Sequence, residues 1–163
     1  MIEGFFDEYR WLSNFWEVEI KYDNIIYPSV EHYYVAMKID ESQKVTIKVN
    51  NKDVEMLLTV QEIRQYISKI ELPGRAKTFG KKIKQRKDWN DIKVSIMNYG
   101  LKQKYSQEPF KTKLIETYPQ TIVETNYWKD TFWGVCDGVG KNVLGKMIMS
   151  IRERIRAQKE DNL

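Results

Sequence analysis

The stretch Tyr27-Pro-Ser-Val-Glu-His-Tyr-Tyr-Val-Ala-Met-Lys38 constrains this chain more than any other. It reads as a helix opening. Pro28 suits a helix start, because its ring fixes φ and its missing N–H would have no partner in a first turn anyway. Ser29 can cap by accepting a hydrogen bond from an N–H at the second or third helical position. On a helix Glu31, Tyr34 and Lys38 fall at i, i+3 and i+7 and share one stripe. A carboxylate and an amine then stand two turns apart, roughly 10 Å along the axis, with an aromatic ring between them. Val30, Tyr33 and Met37 form a neighbouring apolar stripe that can face a core. From the pattern alone the ordinary outcome is an amphipathic helix whose Glu31 and Lys38 are solvated, since charged helix faces usually point at water.

With 163 residues the chain is expected to form one domain, residues 1–163, large enough to bury a real core. Hydrophobic residues make up 42% and aromatics 13%, which excludes a disordered chain. No apolar run reaches the length of a membrane span, and Met1 to Glu8 lacks the basic-then-apolar pattern of a signal peptide. The lone Cys136 cannot form an internal disulfide. A reducing compartment follows as the expectation, so a cytoplasmic protein without a membrane partner, acting as a monomer. His32 is the one histidine, which rules out a two-His zinc site and argues against Ser-His or Cys-His catalysis. Neither a metal nor a cofactor is expected. A net charge of +4 is compatible with a phosphate-bearing ligand or nucleic acid.

Before the Tyr27 stretch, residues 5–16 are aromatic-rich without a clean period, and Leu12-Ser-Asn-Phe15 looks like a turn wedged against a core. Val18 to Ile20 and Ile25 to Tyr27 flank Lys21-Tyr-Asp-Asn24 and read as a short hairpin. After Lys38 the period changes to two, and a second hairpin is expected over about 44–58, turning at Asn50-Asn51. Thr59-Val-Gln-Glu62 has capping-box form and starts a helix that Pro73-Gly74 ends. Another helix is expected over 75–87, then one capped by Asp88 and running to about Tyr105. A short helix should begin at Pro109 and close at Pro119, with a short strand over Thr121 to Glu124. A loop dense in Gly, Trp and Asp covers 128–142, and a last helix runs from Val143 to about Gln158. These elements predict an α+β, helix-dominated fold of several helices with short β-hairpins.

Gly138-Val-Gly-Lys141 resembles a nucleotide loop but fails both tests. A P-loop ending in Gly140-Lys141 needs glycine where Val135 stands and Ser or Thr where Asn142 stands. A dinucleotide fingerprint starting at Gly138 needs a small residue where Val143 stands. What remains is a glycine-rich loop feeding a helix N-terminus, with free N–H groups and Lys141 available to an anion. The alternative is a tight turn that needs glycine for its backbone alone. Asn126, Trp128, Asp130 and Trp133 lie in the same region, where the tryptophans either stack a base or flavin-like ring or cover a core edge. Five of the seven residues from Lys81 to Lys87 are basic, a solvated face or a nucleic-acid contact.

Together these motifs resemble the NADAR family. Leu12-Ser-Asn-Phe15, the Tyr27 stretch and Lys38 are similar to its first signature. Gly74-Arg-Ala-Lys-Thr-Phe-Gly80 with Arg86-Lys-Asp-Trp89 and Met97 is similar to its second, and residues 124–145 to its third and most specific. The resemblance covers nearly the whole chain, with the hairpin at about 44–58 as an addition and the usual leucine-rich segment only loosely present at 114–118. It implies an N-glycosidase acting on ADP-ribose-related ligands. Two substrate classes go with the family: ADP-ribosylated guanine in nucleic acid, and phosphorylated riboflavin-pathway intermediates. The basic character favours the first. By this resemblance Glu31 and Lys38 are catalytic, and Ser13, Asn14, Trp89, Asn126, Trp128, Asp130, Trp133, Gly138 and Asn142 line or shape the pocket, with Lys141 on the glycine loop. The residues suit that chemistry. A carboxylate can stabilise an oxocarbenium-like state or activate water, and a desolvated amine can form a Schiff base with the sugar. The alternatives from other classes are a non-catalytic ADP-ribose or NAD-binding module and a nucleic-acid adaptor built on the basic run.

Overall fold

The computed structural model describes residues 1–163. Its elements in chain order are β1 (Ile2–Glu3), a 3-10 helix (Asp7–Leu12), β2 (Ile20–Tyr22), β3 (Ile25–Tyr27), α1 (Val30–Ala36), β4 (Gln43–Val49), β5 (Lys52–Leu58), α2 (Val60–Ser68), α3 (Pro73–Lys82), α4 (Trp89–Tyr105), α5 (Phe110–Glu116), β6 (Ile122–Val123), β7 (Thr125–Asn126), β8 (Val135–Cys136) and α6 (Val143–Asp161). The fold is α+β and helix-dominated, and its strands occur only as two-stranded pairs. No helix is long and apolar enough to cross a membrane. Two compact units are distinguishable: a terminal unit of Met1–Trp16 and Leu101–Leu163, and a middle unit of Glu17–Gly100.

In the middle unit both hairpins form where the turn residues predict them. Asp23 and Asn24 close β2–β3, and Asn50 and Asn51 close β4–β5, all four at positive φ. Such two-residue turns match the right-handed twist of the strands, and Asn and Asp tolerate the left-handed backbone. Thr59 caps α2 in a full capping box with Glu62. Ser29 caps α1, accepting from the His32 N–H at 3.1 Å. The His32 ring then lies between the Ser29 hydroxyl (Nδ1, 2.6 Å) and the Ile70 carbonyl (Nε2, 2.8 Å). A carbonyl only accepts, so Nε2 carries the proton and Nδ1 accepts from Ser29.

Three expectations are corrected here. First, α1 ends at Ala36, so Lys38 lies one residue past the Met37 cap, its N–H on the Val35 carbonyl at 3.1 Å, rather than on the helical stripe of Glu31 and Tyr34. Pro28 accordingly precedes the cap instead of opening the first turn. Second, every residue of α1 is buried, Glu31 at 9% exposure, which overturns the solvated-face reading. The helix is short and packs against α2, α3 and the first hairpin, leaving no face for water. Third, Pro73-Gly74 opens α3 rather than only ending α2: proline takes the first-turn position it favours, and the chain leaves the helix after Lys82. Gly80 brings α3 against Val35 of α1, where a Cβ would collide with the valine side chain.

In the terminal unit β1 pairs in parallel with β6 and β7 with β8. Helix α6 packs on β6 and α5 through a buried stripe of Leu144, Ile148 and Ile151. Arg152, also buried, donates to the Thr117 hydroxyl at 3.0 Å and the Gln120 carbonyl at 2.8 Å, tying α6 to the end of α5. Pro109 is the N-cap of α5, and Cys136 is a small buried filler.

Candidate active site

The middle unit gathers charge in one place. Glu31 is held on the buried first turn of α1. Burial raises its pKa, opposed by the positive charges of Lys77 and Lys38. Lys38 is half-buried, and its pKa is lowered, first by desolvation and further by Lys77 and Lys81, while Glu31 pulls it back up. Trp89, at the start of α4, is buried and packs on Tyr34 at 4.9 Å between centroids. The Lys38 ammonium sits over both rings, 5.5 Å from Tyr34 and 5.7 Å from Trp89. The expected trio of Glu31, Lys38 and Trp89 is thus brought together. Desolvation pushes both ionisable partners toward their neutral forms, a carboxylic acid and a free amine.

Lys38 is anchored through its backbone. Its carbonyl accepts the Arg86 N–H at 2.8 Å. The chain around Arg86 is fixed in turn: the Gln43 carboxamide donates to the Lys84 carbonyl (3.0 Å) and accepts the Lys84 N–H (2.8 Å). Arg86 grips Asp88 with two bonds, at 2.6 and 3.2 Å. Lys84 pairs with Glu41. The basic run is therefore not a uniform face, because two of its cations are engaged in internal ion pairs and its backbone supports Lys38.

The remaining candidates belong to the terminal unit. Asn126 is buried and brackets Asp130, donating to its carbonyl (2.8 Å) and accepting its N–H (3.1 Å). The Asp130 carboxylate accepts the N–H groups of Phe132 (3.1 Å) and Trp133 (2.9 Å). Asn142 accepts the Glu124 N–H (3.0 Å) and donates to the Ile122 carbonyl (2.9 Å). These three side chains build the loop. Trp128 is half exposed, edge-on to Tyr127 at 5.1 Å, and Trp133 is half-buried, edge-on to Phe132 at 4.9 Å. Gly138 has φ +77 with open space where a Cβ would stand, whereas a Cβ at Gly140 would strike the Gly134 carbonyl.

The N–H groups that lead into α6 have partners within the loop. Lys141, Asn142, Val143 and Leu144 donate to the carbonyls of Thr131, Gly134, Phe132 and Trp133. The Lys141 ammonium lies over the Phe132 ring at 5.8 Å. Ser13 and Asn14 are half-buried just past the 3-10 helix. The Ser13 carbonyl accepts from Lys104, a fully buried lysine, at 2.9 Å.

Three contributors escaped the sequence reading. Lys77 and Lys81, one turn apart on α3, were hidden inside a glycine motif and a basic run, although their i, i+4 spacing was available as a signal. Lys104 looked like an ordinary lysine in the last turn of a helix, and nothing local marks it as buried.

Residues 4–156 match the NADAR domain. The chain belongs to that family. The match takes in residues of both units. Among NADAR relatives, the N-glycosidase YbiA of Escherichia coli (strain K12) is 30% identical over 156 residues, 94% of this chain and 86% of YbiA. A riboflavin biosynthesis protein of Vibrio vulnificus is 29% identical over 160 residues, 96% of this chain. The matched region is 38% of that protein, so this chain spans well under half its length. The NMR structure of E. coli YbiA matches this NADAR fold with a TM-score of 0.74 at 29% identity, covering 97% of this chain and 86% of YbiA.

Proposed function

We propose that this NADAR protein is an N-glycosidase in which Lys38 is the nucleophile and Glu31 the proton carrier. The observation that carries the reading is the buried Glu31 facing the field of a half-buried Lys38, each displaced toward its neutral form. The name N-glycosidase borne by YbiA supports the same chemistry. The neutral Lys38 amine attacks the anomeric carbon, and the bond to the base nitrogen breaks. Its electron pair leaves on the base, which takes the Glu31 proton. The new amine then passes a proton to the ring oxygen as the sugar opens, leaving a Schiff base. Water gives a proton to the Glu31 carboxylate as it adds to the imine carbon, the Lys38 amine is released, and the aldehyde closes to a hemiacetal. Tyr34 and Trp89 shield the amine, and the Arg86 contact fixes its backbone.

The favoured substrate is ADP-ribosylated guanine in nucleic acid. The supporting features are the net charge of +4 and exposed lysines at Lys44, Lys82 and Lys87. The second reading, a phosphorylated riboflavin-pathway intermediate, is favoured by the riboflavin names of relatives from Vibrio vulnificus and Zea mays. A side-by-side assay on an ADP-ribosylated oligonucleotide and on those intermediates separates the two. If the oligonucleotide is the substrate, Lys44→Glu with Lys82→Glu raises its KM several-fold, more at low salt than at high, without changing turnover of a free ADP-ribosyl nucleoside. Exclusive cleavage of the intermediates overturns this substrate and keeps the N-glycosidase. Tight ADP-ribose binding with no N-glycosidic bond cleaved in any of them makes the protein a binding module instead.

A further inference from the structure

One cavity lies wholly within the terminal unit, which holds neither Glu31 nor Lys38. It is a groove of about 370 Å³, lined from the last turn of α4, the start of α5 and α6. That volume falls in the range of small-molecule sites, roughly 300–1,000 Å³. Ile151, Arg154 and Ile155 come from one face of α6, at i, i+3 and i+4. Tyr105, Ile151 and Ile155 give the groove an apolar side, and Lys102, Lys111 and Arg154 supply three positive charges. No carboxylate lines it.

The three cations have no counter-charge of their own. None of them is in an ion pair. Glu153 is taken by Arg152 and Arg156, at 3.3 and 2.8 Å, and Glu108 accepts the Thr112 N–H at 3.2 Å. Asp161 stands two turns beyond Arg154, roughly 10 Å along the helix axis. The closing carbonyls of α4, on Lys102, Gln103 and Lys104, accept from the N–H groups of Ser106 and Gln107. In the same groove Tyr105 is wholly buried, and its hydroxyl has no hydrogen-bond partner. A buried donor without an acceptor is uncommon in a folded chain, and a ligand oxygen would satisfy it.

We propose that this groove binds a small organic phosphate. The oxygens of a phosphomonoester meet Lys102, Lys111, Arg154 and the Tyr105 hydroxyl, and its apolar body lies on Ile151 and Ile155. Near neutral pH a phosphomonoester carries close to two negative charges on three acceptor oxygens, whereas a carboxylate carries one charge. The guanidinium fork of Arg154 suits two phosphate oxygens at once. Inorganic phosphate would leave the apolar side to water, so the organic body adds affinity.

The test is calorimetric titration of the full chain at pH 8 with phenyl phosphate, its methyl diester, inorganic phosphate and an unmodified octathymidylate. Phenyl phosphate should bind about tenfold tighter than either inorganic phosphate or the diester. Arg154→Gln and Lys111→Gln, both at exposed positions, should each weaken its binding about tenfold. Tyr105→Phe should fold at least as stably as wild type, having lost an unpaired polar group, yet bind phenyl phosphate several-fold more weakly. Lys38→Ala should bind it as wild type does, which separates this groove from the catalytic lysine. Undiminished binding in Tyr105→Phe, or in both charge variants, overturns the proposal, as does loss of binding in Lys38→Ala. Inorganic phosphate binding as tightly as phenyl phosphate reduces the groove to a cationic patch and overturns it too. Octathymidylate or the diester binding more tightly than phenyl phosphate, and weakened by the same variants, would give the groove to a nucleic-acid backbone instead.

Discussion

The backbone N–H of Arg86 donates to the carbonyl oxygen of Lys38 at 2.8 Å. The bond joins two features that look unrelated in sequence, the end of the Tyr27 stretch and a basic run. Lys38 lies beyond the last residue of α1, so the helix does not fix its backbone. The 83–88 segment does, and Gln43 fixes that segment by reading both polar groups of the Lys84 peptide. The second hairpin therefore supports Lys38 through its first residue.

Lys77 lowers the pKa of both Glu31 and Lys38. Lys77→Met should let both rise. A reaction that needs protonated Glu31 and neutral Lys38 has a bell-shaped pH profile, and both limbs should move to higher pH in the variant. The measurement is kcat/KM across pH 5 to 10 for wild type and variant. A profile that stays in place would show that Lys77 does not act on the pair.

Burial holds the pKa of His32 below 6.5, against the Ile70 hydrogen bond that raises it. The unfolded chain then binds more protons in the acid range, so the His32 contribution to stability is complete above about pH 6.5 and is lost as pH falls below it. His32→Gln should lose about 1–3 kcal/mol at pH 8, from two broken buried hydrogen bonds. It should also show a weaker loss of stability between pH 8 and pH 5 than wild type. Urea titrations at the two pH values provide the check, and equal slopes would contradict the assignment.

Desolvation lowers the pKa of Lys104 from 10.5 to about 7. Between those values the unfolded chain holds the proton and the folded one does not, so stability should rise with pH across that window and be flat below it. Lys104→Met removes the buried charge. It should be more stable than wild type at pH 6, and the gain should shrink as pH approaches 10. A gain that does not change with pH would place the charge elsewhere.

The legible parts of the fold are those decided within a few residues. The Thr59–Glu62 box, the Ser29 cap, the Asn50-Asn51 turn and Pro109 each carry their own geometry, and the elements they start are where they were expected. The parts that were not legible depend on distant chain. Ile2 pairs with Ile122, far along the sequence, and two-residue strands have no period to detect. Whether Glu31 is solvated depends on α2 and α3 packing over α1. At the glycine-rich loop the N–H groups of 141–144 are engaged by carbonyls from 131–134, a pairing that depends on how the loop folds back and that no local pattern announces. Asn126, Asp130 and Asn142 were found by motif, and their bonds show how they build the loop.

The central claim is that Lys38 bonds covalently to the sugar with Glu31 moving the proton. The direct measurement is reductive trapping: incubate the protein with ADP-ribosylated oligonucleotide and cyanoborohydride, then map the adduct by mass spectrometry. One ADP-ribosyl adduct is expected on Lys38, formed at least about a hundredfold more slowly in Glu31→Gln, and absent from Lys38→Ala, which folds but no longer restores the unmodified strand. Removal of ADP-ribose from the strand by wild type with no adduct on Lys38, together with a folded Lys38→Ala that keeps full activity, would contradict it.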